Sequence, residues 1–118
     1  MGTLTAMSEM QRKQEVRLDE GGLWAVRSTS ATVCFLDLDR MTRYRDRGAG
    51  SPSFPYDRQW VPLVQVRSPR GDTGVVRVGD RHEFVTDPDE GSQDYQWWIP
   101  RLCIAIEPVD PADAPPRR

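Results

Sequence analysis

Breaks in this chain come so often that only short strands fit between them. Gly21-Gly22, Ser28-Thr29-Ser30, Ser68-Pro69-Arg70-Gly71-Asp72 and Gly79-Asp80 are turn clusters, each rich in the residues that supply left-handed φ, a fixed φ or local side-chain hydrogen bonds. The segments between them are β-branched and aromatic rather than helical in spacing. Val16 and Leu18 alternate with Arg17 and Asp19, Leu23–Arg27 reads as a strand, and Ala31–Leu38 places Val33 and Phe35 on one face. The last two form a hairpin. Trp60–Arg67, Gly74–Val78 and His82–Thr86 read as a three-stranded meander, with Pro62 near a strand start or on an edge. Leu102, Ile104 and Ile106 have the period of two and make a closing strand over about 101–107. Tyr95–Ile99 reads as strand in preference to a short helix. The expected fold class is mainly β, a small antiparallel barrel or sandwich of about six or seven short strands with disordered termini.

With 118 residues the chain fits one domain, expected over 16–107. Residues 1–15 form a flexible N-terminal segment in which Ser8 and Gln11 could cap a short helix. Residues 108–118 are rich in Pro, Asp and Ala and are expected to be a disordered tail. No apolar run reaches the length of a membrane span, and the first residues lack a signal peptide's apolar stretch, so the expected location is cytoplasmic, with no membrane partner. Cys34 and Cys103 lie in apolar segments and are read as buried free thiols. Lys13 is the only lysine beside fifteen arginines, which points to a GC-rich, bacterial or mobile-element genome.

The formal charge of −2 argues against a general nucleic-acid coat, but it conceals an asymmetry. Residues 40–58 carry five arginines against two aspartates, with Gly48, Gly50, Pro52 and Pro55 among them. They read as a long irregular loop bearing Phe54 and Tyr56, and such loops are often functional. Residues 80–94 carry six acids against Arg81 alone. The opposite charges allow the two segments to meet, within one chain or between two copies of a homodimer. Beside the second stands Trp97-Trp98. Adjacent residues on a strand point to opposite faces, so one ring enters the core and the other meets water or a partner.

Several motifs have plainer readings. Val33–Asp39 ends in Asp-x-Asp and resembles the nucleophile motif of haloacid-dehalogenase-type phosphatases, which would imply an aspartyl nucleophile beside Mg²⁺ in an α/β fold. Met41 stands at that motif's usual Thr position, Lys13 lies upstream where the family needs a downstream Lys, and the chain is short and β-rich. Asp37 and Asp39 are therefore read as strand-end acids facing water or arginine. Asp87–Gly91 has the composition of a calcium loop without its spacing. Arg70-Gly71-Asp72 reads as a hairpin loop. His82, the only histidine, is read as a surface residue, since two separated cysteines and one histidine fall short of a zinc set.

No catalytic residue, metal site or cofactor is assigned. The expected function is a non-enzymatic protein-interaction or regulatory module, acting on a protein partner or on itself through Trp97 or Trp98 with Tyr56, Arg43, Arg45 and Arg47. The alternative is a nucleic-acid-binding β-barrel using the Arg/aromatic loop 40–60. The third is a small enzyme or ligand binder centred on His82.

Overall fold

The computed structural model describes residues 12–90 and 94–117. Nine strands follow in chain order: β1 Glu15–Arg17, β2 Leu23–Ser28, β3 Val33–Asp37, β4 Thr42–Asp46, β5 Trp60–Arg67, β6 Val75–Arg77, β7 Glu83–Thr86, β8 Gln96–Trp98 and β9 Cys103–Pro108. Seven form one antiparallel sheet in the order β8-β7-β5-β4-β3-β2-β9, and β1 pairs with β6 in a two-stranded ribbon. The fold is mainly β, as the turn pattern predicts.

The ribbon ties the sheet's distant strands together. Lys13 N–H donates to Ile106 O of β9 at 3.0 Å, and Gly74 N–H donates to Val66 O of β5 at 2.9 Å. Gly79 N–H to Cys103 O and Cys103 N–H to Asp80 O fasten the segment after β6 to the start of β9. The sheet therefore curls round a shared core, closing as a small barrel does. Among the described residues thirteen side chains form that core, including Val16, Leu36, Val66, Val76, Phe84 and Ile106, with Met41, Val78 and Trp98 packed against them.

Strand alternation sets what faces inward. Cys34 and Leu36 of β3 point into the core, while Phe35 lies outside. Phe35 pairs across the ladder with Tyr44, and Tyr44 with Trp60. The three rings form an outer-face row, with centroids 6.2 Å and 5.4 Å apart, spacings at which aromatic pairs attract. The segment after β9, expected to be a disordered tail, reaches the Trp60 end of this row. A 3-10 turn, Pro111–Asp113, follows β9. Pro115 O accepts from Trp60 Nε1 at 3.1 Å, and the Arg117 guanidinium lies 4.4 Å from the Trp60 ring centre while bonding to Asp37 and Thr42.

Three further expectations change. The meander over 60–86 is interrupted: β5 pairs with β7, while β6 leaves to pair with β1. Residues 40–58 are not all loop, because β4 takes up 42–46. His82 is 1% exposed and not a surface residue. Of the N-terminal segment, residues 1–11 lie outside the described residues, and Glu15 belongs to β1. No helix among the described residues is long and apolar enough to cross a membrane.

Candidate functional site

The sequence of β4, Thr-Arg-Tyr-Arg-Asp, forces a choice. Tyr44 takes the outer face, where Phe35 and Trp60 receive it. The period of two then sends Arg43 and Arg45 inward. They are 6% and 3% exposed, so the structure withdraws them from the solvated loop where the sequence placed them. They lie opposite Leu36 and Cys34 of β3 and line a cavity of about 530 Å³. One wall of this mouth is the segment 49–57, and the other is 96–101.

Each wall is fastened. Gly48 N–H donates to Thr32 Oγ1 at 3.1 Å, Thr32 Oγ1 donates to Ser51 Oγ at 2.8 Å, and Arg47 Nε donates to Ser51 O at 2.7 Å. Arg58 N–H donates to Arg45 O, which brings the loop back to β4. Tyr56 and Arg58 adopt φ of 68° and 59°, a left-handed conformation that bulky residues rarely take. On the far side β8 pairs with β7, and Arg81 Nε donates to Pro100 O at 2.9 Å.

The two arginines differ in how their charge is met. Arg45 Nη1 donates to both oxygens of Asp57, at 2.8 and 2.7 Å, and Nη2 donates to Pro52 O at 3.1 Å. Asp57 is further held by Phe54 N–H. Arg43 has no ion-pairing carboxylate and no hydrogen-bond acceptor among the described residues, and its Nε, like that of Arg45, is sealed from solvent without a partner. Burial pulls its pKa below the usual arginine value and the charge on Arg45 adds to this, while Cys34 and Asp57 oppose it. What Arg43 has is the Trp98 ring, whose centre lies 5.4 Å from its guanidinium carbon. Arg45 lies 5.2 Å from the same ring and 4.3 Å from that of Phe54. These are cation–π distances.

Trp98 also packs on Phe84, with centroids 5.6 Å apart, so it is the inward member of the tryptophan pair. Trp97 is 59% exposed and stands on the rim. Of the six interaction residues expected from the sequence, the structure gathers Arg43, Arg45, Trp97 and Trp98 into the mouth, while Tyr56 and Arg47 lie outside its lining. The sequence reading missed Asp57 as the counter-ion of Arg45, and Arg101 as part of the wall. Asp57 is twelve residues from Arg45 and carries no pattern that marks the pair.

The remaining motifs resolve into structural roles. Asp37 accepts from Arg40 N–H and Arg117, and Asp39 accepts from Gly22 N–H, so the Asp-x-Asp pair braces turns. Arg70 pairs with buried Asp80, and Asp72 with Arg77, across the hairpin after β5. His82 Nε2 accepts from Arg77 N–H at 2.9 Å. Burial pushes the imidazole below its ordinary pKa, only partly offset by Asp80. His82 shares a space of about 10 Å³ with Cys34 and Cys103, far smaller than a substrate. Burial raises Cys34 to about 12 and Cys103 to about 11, so neither thiol ionises near neutral pH. Among the described residues no group of three or more His, Cys, Asp or Glu could hold a metal ion.

The chain matches no protein-family model, no curated protein and no solved structure.

Proposed function

We propose that this protein is a non-enzymatic recognition module that holds a protein partner at the mouth of its barrel. One observation carries the reading: Arg43 is buried at the wall of an open cavity with no hydrogen-bond or ion-pair partner among the described residues. A folded chain gains nothing in stability from such a group, since buried cations are normally paired. A binding role accounts for its retention. Trp97 supports the same reading, because an exposed tryptophan on a pocket rim is the residue type that most often anchors an interface.

The test compares wild type, Trp97→Ala and Ile104→Ser by affinity capture from the source cell, followed by sedimentation of the purified chain. Ile104 is exposed and lies outside the mouth. A defined partner, or a second copy, that stays with Ile104→Ser and is lost from Trp97→Ala supports the reading. A partner set indifferent to Trp97→Ala, with no self-association, refutes it.

Binding of nucleic acid is the second reading, favoured by Trp97 standing beside Arg101 on one wall. It predicts affinity for single-stranded oligonucleotides that falls with salt, and a flat titration at low salt removes it.

A further inference from the structure

We propose that the mouth seats a single carboxylate carried on an apolar or aromatic body, with Arg43 as the group that reads it. The inference rests on the mouth being the binding site and adds the chemistry of what enters.

The charge count sets the ligand's sign and valence. Arg43 and Arg45 stand two residues apart on one strand, both facing inward. Asp57 neutralises Arg45 through two short bonds to one nitrogen. One positive charge is left over, on Arg43. A monoanion cancels it. A phosphoryl dianion brings a second negative charge into a wall that already holds Asp57. Arg101 stands across the mouth and is exposed, so solvent screens its contribution.

The geometry of Arg43 sets how the anion is held. Its Nε is closed off, so the approach left is end-on to the two terminal Nη groups, the fork that matches the two oxygens of a carboxylate. The face of the guanidinium is already covered by Trp98. The carboxylate therefore lies near the edge of that ring, and the group carrying it extends towards the rim. There Trp97, Ile99, Phe54 and Pro55 supply apolar surface. A volume of about 530 Å³ lies within the range of small-ligand pockets and suits the end of a peptide or a small organic acid. A neutral ligand of the same shape fills the space but leaves Arg43 without a partner, so charge is the discriminating feature.

The test uses the full-length chain labelled with ¹⁵N, following the indole N–H signals of Trp97 and Trp98 and the Nε–H signal of Arg43. The probes are 3-phenylpropionate, its neutral amide and phenyl phosphate. Two tripeptides separate the sources of a carboxylate: one ends in Phe with a free C-terminus, and the other is amidated with Glu at its last position. Saturable shifts with 3-phenylpropionate are expected, with none from the amide. Phenyl phosphate is expected to bind more weakly, because its second negative charge gains no partner of its own and stands beside Asp57. Arg43→Met should keep the dispersion of a folded chain and lose the response. Either tripeptide responding supports the proposal and identifies the source. Equal binding of the amide, tighter binding of phenyl phosphate, or no response to any probe overturns it. These results are independent of the capture experiment. If Trp97→Ala still loses its partner while no carboxylate binds, the carboxylate is wrong and the recognition site stands.

Discussion

Arg43 and Arg45 make an internal comparison, because they share a strand, a direction and a depth of burial but not a counter-ion. Arg43→Met removes a buried Nε with no partner, a group that costs about 1–3 kcal/mol to hold. It also removes a desolvated cation–π contact with Trp98 of about 2 kcal/mol, part of which the thioether restores by packing on the same ring. The two terms nearly cancel, so the net expectation is a change within about 1 kcal/mol of zero, which keeps the melting temperature within about 4–8 °C of wild type for a domain of this size. Arg45→Met leaves Asp57 with only the Phe54 N–H and leaves Pro52 O unbonded. Its side chain is 4% exposed and that of Asp57 14%, so solvent replaces little of what is lost. Relief of its own unpartnered buried Nε offsets part of this loss, and the expected cost is about 2–4 kcal/mol. Urea unfolding of the three proteins, with the slope checked for constancy, measures both changes on one scale. If Arg43→Met is destabilised by more than about 1 kcal/mol, Arg43 is a structural residue with an unrecognised partner, and the argument from unmet charge fails.

Gly48 lies so close to Ala31 that an added Cβ would overlap its carbonyl group. Gly48→Ala should cost about 1–3 kcal/mol in urea unfolding and loosen the 49–57 wall. Stability should also depend on pH through His82. The unfolded chain takes up a proton near 6.5, while the folded chain resists until lower pH. The contribution is therefore full above that value and is lost as pH falls through the lowered native pKa. Urea midpoints at about pH 8 and about pH 5 should show this loss, and His82→Gln should flatten part of it. Cys34 and Cys103 should be inert to Ellman's reagent in the native protein at about pH 8, and both should react once urea unfolds it. Fast reaction of either thiol in the folded state would contradict the burial described above.

The sequence by itself determined the class of fold and much of its inventory. Turn clusters at Gly21-Gly22, Ser68–Asp72 and Gly79-Asp80 limit the chain to short strands, and the pattern of β-branched and aromatic residues names most of them. Trp97 and Trp98 were legible as a pair with opposite fates, because adjacent residues on any strand face opposite ways. β4 was not legible as a strand. Arg43 and Arg45 beside Gly48, Pro52 and Pro55 read as a solvated loop, since a charged residue at an inward position breaks the rule by which strands are recognised. Only the neighbours reverse that reading: Phe35 and Trp60 claim Tyr44 for the outer face, and the pleat carries the arginines inside. The tail shows the same limit. Pro115 and Arg117 have no apolar pattern of their own, and they are placed by the ring of Trp60, whose exposed edge exists only after β3, β4 and β5 have paired. Local spacing fixes which way each side chain points along a strand. Which of the two faces becomes the interior, and which charges find partners there, depends on contacts between residues far apart in the chain.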